Sequence, residues 1–243
     1  MTERSALDVD LLRAAASGTQ WRRVDVVEQT GSTNADLISR AAGGEDIAGS
    51  VLLAEFQSAG RGRHGRSWSA PPRSQISMSV AVDTSEVAPT GWGWLPLLTG
   101  LVVVQTVRDF GIDAALKWPN DVLVGTGKLA GILAEVTAPT VVIGLGVNVS
   151  FTEDELPDPN AVSLSMLGHN ADRNELAIAL LQELDTRLAH WRACGGTLLA
   201  QTKKREYVPV VSGGELAICP TYQSQNSKSL INRVWLKYVV RVL

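Results

Sequence analysis

Glycine and arginine alternate through residues 60–68, and this loop has the residue types most suited to binding an anion. The run Gly-Arg-Gly-Arg-His-Gly-Arg-Ser-Trp directly follows the apolar, strand-like segment 51–56. Closely spaced glycines let backbone N–H groups approach a ligand, and guanidinium groups offer paired, always-charged donors to carboxylate and phosphate oxygens. The loop is therefore predicted to bind carboxylate or phosphate groups.

The same run also satisfies the dinucleotide-binding pattern G-x-G-x-x-G. That pattern requires a helix to open at its third glycine, whereas Ser-Trp-Ser-Ala-Pro-Pro follows here. A Rossmann site is therefore rejected. Taken alone, the loop is equally compatible with a solvated basic loop or an Arg-Gly patch that binds nucleic acid.

A second segment, 117–136, adds a lysine at a position suited to electrostatic catalysis. Lys-Trp-Pro-Asn-Asp at 117–121 leads into an apolar run, a Gly-Thr-Gly turn at 125–127 and a longer apolar strand. This pattern predicts a β-hairpin with Lys128 at the start of its second strand. An ammonium group on a strand edge can neutralise a reacting carboxylate or phosphoryl group, although a lone lysine is more often a surface residue.

Composition limits the classes of function. The chain has 243 residues, 45% hydrophobic content and a formal net charge of −3, which argues against a surface built wholly for nucleic acid. Two cysteines and three scattered histidines provide neither a disulfide framework nor a zinc motif. The N-terminus lacks an apolar signal segment, and the apolar run 95–107 is short for a membrane span. We therefore expect a cytoplasmic protein with no membrane association.

The predicted elements place these motifs on an α+β fold. Strands are expected near 23–28, 51–56, 76–82, 114–118, 121–124, 128–136 and 140–148, and helices at 33–42, 94–110 and 172–194. Ser32 or Thr33 is the expected N-cap of the first of these helices, with Asp36 in a capping-box position to Thr33. Strands in runs with helices beside them indicate a mixed or antiparallel sheet flanked by helices.

Five motifs in this order resemble the biotin protein ligases. They are Gly-Ser-Thr-Asn at 31–34, Gln57 with the 60–68 loop, Lys-Trp-Pro-Asn-Asp at 117–121, Lys-Leu-Ala-Gly-Ile-Leu at 128–133 and Gly-Leu-Gly-Val-Asn at 144–148. The resemblance covers about residues 24–192. The related lipoate protein ligases are expected to carry an Arg-Arg-x-x-Gly-Gly-Gly-x-Val-x-His-Asp-like loop, which this sequence lacks.

The resemblance implies roles for particular residues. It implies that Lys128 and Arg63 are catalytic. Lys117 is a candidate for the second reaction step, and a purely structural role for it is equally compatible with the sequence. The biotin-binding residues it implies are Ser32, Thr33, Asn34, Gln57, Gly60, Arg61, Arg63, Lys128 and Gly131. The residues it implies for ATP and the adenylate are Arg63, Arg66, Trp68, Asn120, Lys128 and Asn148. Mg²⁺ is expected to be bound mainly through the nucleotide, with no dedicated protein site.

The function implied by the resemblance is a two-step ligation. Biotin and ATP form biotinyl-5'-AMP, and the biotinyl group then passes to a lysine of the biotin carboxyl carrier domain of an acyl-CoA carboxylase. The alternatives are a ligase for lipoate or another acyl acid, and a non-catalytic nucleic-acid binder that uses the Arg-Gly loop. The expected partners are biotin and the carrier domain, without nucleic acid, and the expected state is a monomer or weak homodimer.

The ends of the chain depart from the family pattern. Only about 22 residues precede the first strand, too few for the N-terminal winged helix-turn-helix that some relatives carry. Residues 1–200 are expected to form the catalytic domain. Residues 201–243 occupy the position of a small SH3-like barrel, but they are basic and rich in serine and asparagine. This segment is interpreted as a diverged β appendix or as the product of a changed reading frame.

Overall fold

The computed structural model describes residues 4–197 together with the backbone of two short strands, 209–212 and 215–218. The helices are α1 Val9–Ala16, α2 Thr33–Ala42, α3 Leu95–Asp109 and α4 Arg173–Ala193. The strands are β1 Arg23–Thr30, β2 Ser50–Gln57, β3 Gln75–Asp83, β4 Ala114–Lys117, β5 Asp121–Val124, β6 Gly127–Thr137, β7 Thr140–Asn148, β8 Pro209–Ser212 and β9 Glu215–Ile218.

Seven strands form one mixed sheet in the order β1-β2-β3-β7-β6-β5-β4. The pair β1 and β2 is parallel, and each other neighbouring pair is antiparallel. A parallel pair needs a crossover connection, and α2 provides it between β1 and β2. The predicted α+β fold with a mixed sheet flanked by helices is confirmed.

One face of the sheet carries the main hydrophobic core, which α1, α3 and α4 cover. The leucines of α4 at 176, 180, 184 and 188 are fully buried there, as their fourfold spacing predicts. The segment Pro89–Asp109, which contains α3, has the length and composition of a membrane-spanning helix, yet 61% of its most apolar window is buried inside this fold. Its apolar residues thus serve the core, in agreement with the buried helix expected there.

The opposite face is covered at one end by α2, and its remaining part carries the polar side chains. Leu37 of α2 packs on Ala81 and Val142 of the sheet in a second, smaller core. Ser32 is the N-cap of α2, since its hydroxyl accepts a hydrogen bond from the N–H of Ala35. The expected capping box between Thr33 and Asp36 is wrong, because the Asp36 carboxylate instead accepts from the Thr30 hydroxyl.

Most of the 201–243 segment lies outside the described residues. Its two described strands, β8 and β9, form an antiparallel pair in which Pro209 is the partner of Ile218. The backbone of β8 lies near β4. The predicted division of the chain near residue 200, and the origin of the terminal segment, remain predictions.

Candidate active site

The Arg-Gly loop folds into a narrow hairpin at the edge of the polar face. The N–H of Trp68 donates to the Gly60 carbonyl at 2.8 Å, and the N–H of Gly62 donates to the Arg66 carbonyl at 2.7 Å. A Cβ at position 60 would lie 2.3 Å from the Trp68 carbonyl oxygen, so this strand pairing requires glycine. The tip reverses through His64 and Gly65, which both have positive φ.

The Trp68 ring packs against two glycines of the sheet, which form a cradle for it. Gly131 of β6 and Gly146 of β7 are paired in register, and Cβ atoms built on them would lie 3.0 Å and 2.4 Å from the Trp68 ring. The indole Nε1 donates to the Gln75 side-chain oxygen at 2.7 Å. Because these two glycines have no side chains, the indole can pack directly on the sheet, and the hydrogen bond to Gln75 fixes its orientation.

Lys128 sits beside this tryptophan on the short hairpin of β5 and β6. Its Nζ lies 2.7 Å from Oδ1 of Asp121 and 5.3 Å from the centre of the Trp68 ring. Its backbone carbonyl accepts from Nδ2 of the buried Asn148 at 3.1 Å. The lysine side chain is 32% exposed, so an arriving anion can reach the ammonium group.

The arginines of the loop contact the sheet and the turn before β5. Arg61 pairs with Glu135 of β6 at 3.0 Å, and Arg63 donates to Oδ1 of Asn120 at 3.3 Å. The amide of Asn120 also donates to the Ile132 carbonyl at 2.8 Å, which anchors the turn on β6. Since Arg63 contacts residue 120 and Lys128 contacts residue 121, these two cations converge on adjacent residues.

The N-terminus of α2 and the end of β2 form a polar group at the other end of this face. Oε1 of Gln57 accepts from the Thr33 N–H at 2.9 Å and from the Thr33 hydroxyl at 3.1 Å. The Asn34 amide donates to Glu135 at 2.8 Å, the Ser79 hydroxyl donates to Oδ1 of Asn34 at 2.6 Å, and Oγ of Ser79 also lies 2.6 Å from the Thr33 hydroxyl. Glu135 therefore contacts both Asn34 here and Arg61 of the loop.

The sequence-predicted site residues thus gather on one face of the sheet, from the α2 end to the β5–β6 hairpin. Arg66 and His64 lie at the exposed loop tip, and within residues 4–197 neither side chain has a hydrogen-bond or ion-pair partner. Lys117 is exposed at the end of β4, opposite Asp121 in the strand register. The arrangement holds polar groups at one end, an aromatic wall in the middle and cations at the other end, which suits a long molecule with a terminal carboxylate.

Comparison with known proteins identifies the family. The sequence model of the biotin/lipoate A/B protein ligase family matches residues 27–148, about half of the chain. The biotin–[acetyl-CoA-carboxylase] ligase of Mycobacterium tuberculosis is 50% identical over 210 residues, which cover 84% of this chain and 77% of that protein. The chain belongs to the biotin/lipoate A/B protein ligase family.

More distant members of the family share the same region and fold. The bifunctional ligase/repressor BirA of Escherichia coli is 37% identical over 175 residues, and the match covers 68% of this chain but only 53% of that protein. The structure of the biotin protein ligase of Aquifex aeolicus in complex with biotin and ATP matches with a TM-score of 0.63 at 26% identity. That match covers 72% of this chain and 74% of the Aquifex chain.

Several residues of the site escaped sequence reasoning. Glu135 and Ser79 each hold two of the predicted residues, and Gln75 and Asp121 each hold one, through hydrogen bonds or ion pairs. A signal for two of them was present in β3, where polar residues occupy alternate positions of a strand that is buried on both faces. Since buried polar groups need partners, such alternation indicates a polar site on that face.

Proposed function

We propose that this protein activates biotin with ATP and transfers the biotinyl group to a lysine of an acetyl-CoA carboxylase carrier domain. The observation that carries the proposal is the convergence of Lys128 and Arg63 on Asn120 and Asp121, beside the Trp68 wall. It is supported by a relative of 50% identity named biotin–[acetyl-CoA-carboxylase] ligase. It is also supported by the Aquifex neighbour, which was solved with biotin and ATP.

The first step brings two negative groups into bonding distance. A carboxylate oxygen of biotin attacks the α-phosphorus of ATP, the bond to the β-phosphate oxygen breaks, and pyrophosphate leaves. Lys128 is proposed to bridge the carboxylate and the α-phosphate, exchanging its contact with Asp121 for the substrate oxygens. Arg63 holds the phosphate from the other side. Fixed cations in a partly desolvated site typically lower such a barrier by several kcal/mol.

The second step needs no protein nucleophile. The amine of the acceptor lysine attacks the carbonyl carbon of biotinyl-AMP, AMP leaves, and the nitrogen loses a proton to water. Lys117 is exposed and lies opposite Asp121 in the strand register, which supports a role near the incoming acceptor. We propose that it favours this step through its charge.

Substrate contacts are proposed in the order in which the groups lie on the face. Thr33, Asn34 and Gln57 bind the ureido end, Trp68 over Gly131 lines the centre, and the cationic loop holds the acid end. The remaining proposed contacts are Ser32, Gly60 and Arg61 for biotin, and Arg66, Asn120 and Asn148 for the nucleotide.

Mg²⁺ is proposed to enter with the nucleotide. Within the described part of the chain, no group of three or more histidine, cysteine, aspartate or glutamate side chains is arranged to bind a metal. Mg²⁺ commonly uses substrate phosphates with one or two carboxylates, and the residues present fit that mode. When bound, it supplies charge neutralisation at the phosphates.

Pyrophosphate release tests the function directly. We expect release when the purified protein receives biotin and ATP, and transfer of biotin to an added carrier domain. Lipoate and octanoate, supplied in competition, should give little adenylate. A higher rate of adenylate formation with lipoate or octanoate than with biotin would identify that acid as the substrate instead. Salt-dependent retention of nucleic acid without any pyrophosphate release would instead favour the nucleic-acid-binding alternative.

A further inference from the structure

Ser77, in the middle of β3, carries a buried hydroxyl with no partner. The residue is 1% exposed, and within residues 4–197 its Oγ has no hydrogen-bond partner. Leaving a buried hydroxyl unpaired destabilises a fold, so such groups are rare and need an explanation. Among the described residues, Thr106 Oγ1 and Trp191 Nε1 are also buried without a partner, but Ser77 is the one on the strand face that carries the site. The proposed reaction leaves this hydroxyl unassigned.

The position of Ser77 places its side chain in the floor of the site. Alternate residues of a strand share a face, so Ser77 points to the same side as Gln75 and Ser79. Gln75 holds the Trp68 indole, and Ser79 holds Thr33 and Asn34, so both belong to the site.

The register partners of Ser77 on both sides are small. They are Ala54 on β2 and Gly146 on β7, two of the smallest residues. Gly146 is also part of the cradle under Trp68. Ser77 therefore lies beside the cradle, level with the Trp68 ring along the strands, and the next register pair toward α2 is Ser79 with Gly144.

The order of the side chains along β3 indicates which part of bound biotin Ser77 would contact. Ser79 lies at the end where Thr33 and Gln57 are proposed to bind the ureido group, and Gln75 is the register partner of Asn148, whose amide donates to the Lys128 carbonyl at the cationic end. Ser77 is about 7 Å from each along the strand, which is half-way. In biotin, the heteroatom between the ureido group and the carboxylate is the thioether sulfur.

We propose that the Ser77 hydroxyl donates a hydrogen bond to the thioether sulfur of bound biotin and thereby contributes to selection of the sulfur-containing acid. The inference rests on the proposed function, because it assumes that biotin is the substrate. Sulfur is a weak acceptor, so the contribution corresponds to about a threefold to fivefold preference. In the ligand-free protein the unpaired Ser77 hydroxyl lowers the free energy of unfolding, and it gains a partner when biotin binds.

Ser77→Ala tests this with a matched pair of substrates. Biotin is compared with its carbocyclic analogue, in which CH₂ replaces sulfur, and kcat/KM for adenylate formation is measured for each. We expect the preference for biotin to fall about threefold to fivefold in the variant, with the rate for the analogue unchanged. Thermal unfolding of the ligand-free variant should occur at an equal or higher temperature, because an unpaired hydroxyl has been removed.

Ser163→Ala is the control, since Ser163 is a buried serine whose hydroxyl donates to the Phe151 carbonyl at 2.6 Å. It should lower the unfolding temperature and leave the substrate preference unchanged. Ser77→Cys, with a weaker donor, should retain part of the preference.

An unchanged preference in Ser77→Ala would overturn the inference. So would an equal loss for both substrates together with a lower unfolding temperature, which indicates a structural role. If the parent protein itself forms no adenylate from biotin, the proposed function fails first, and the two failures are thereby distinguished.

Discussion

Gly146→Ala should displace Trp68 from its cradle and slow adenylate formation. The added Cβ would lie 2.4 Å from both Cε2 and Nε1 of the indole, whereas carbon atoms pack at about 3.5–4.0 Å. The ring must therefore move by about 1 Å. A shift of this size breaks the 2.7 Å hydrogen bond from Nε1 to Gln75, because a donor–acceptor distance near 3.7 Å no longer constitutes one.

The expected loss follows from these two contacts. The hydrogen bond contributes about 1 kcal/mol, and a gap of this width removes a quarter to a half of the ring's dispersion contacts with the sheet, which adds about 1 kcal/mol. Together they correspond to a decrease of about 30-fold in kcat/KM for biotinyl-AMP formation. Pyrophosphate release at varied biotin and ATP measures this decrease.

Gly131→Ala is the milder member of the pair. Gly131 is the register partner of Gly146 and also lines the proposed biotin site, where its Cβ would be in ordinary contact with Lys128, 3.4 Å from Cε. Its Cβ would lie 3.0 Å from Cζ3, at the edge of the ring, so a movement of a few tenths of an ångström accommodates it. We expect less than about fivefold loss from a shift that leaves the hydrogen bond intact. In a Trp68→Ala background, Gly146→Ala should add no further loss. Two outcomes would refute the assignment of Trp68 to the cradle. One is parental activity of Gly146→Ala; the other is a loss of activity from Gly146→Ala in the Trp68→Ala background as large as its loss in the parent protein.

Three further outcomes are expected. Lys128→Ala should abolish detectable pyrophosphate release with an unchanged unfolding temperature, whereas Lys117→Ala should retain the first step. Near-parental pyrophosphate release by Lys128→Ala would show that Lys128 is not catalytic. Arg63→Gly should let the adenylate escape, seen as biotin on bystander lysines of added albumin, and labelling confined to the carrier domain would contradict this. Truncation after Ala200 should preserve adenylate formation and weaken biotin transfer, because the proposed substrate contacts all precede residue 150. If the truncated protein folds but forms no adenylate, residues 201–243 are required for the first step.

Local patterns predicted most of the fold. Residue periodicity gave the seven sheet strands and the three long helices within a few residues, because apolar spacing records which face of an element is buried. The Ser32 cap and the leucine row of α4 follow from the same local rules. The Asp36 capping box failed because the Thr30 hydroxyl, brought close by the end of β1, competes for the carboxylate.

Motif chemistry predicted the cations and the helix N-terminus but not what holds them. Asp121 pairs with Lys128 across two neighbouring strands, and Glu135 on β6 pairs with Arg61 of the loop; both contacts form only after folding. Gln75 and Trp68 are seven residues apart, yet the loop between them must fold back before their side chains meet. A sequence pattern contains no information on such contacts, because they depend on strand order and register.

The sequence by itself determined the classes of chemistry: an anion-binding Arg-Gly loop, a lysine at the start of a hairpin strand and a polar helix N-terminus. Those properties reside in residue types and short spacings, which survive without a fold. Only the tertiary structure decided that Gly131 and Gly146 form one cradle, and that Ser77 lies unpaired between Gln75 and Ser79. Register across β3, β7 and β6 sets these positions, and register is fixed by packing of the whole sheet against its helices.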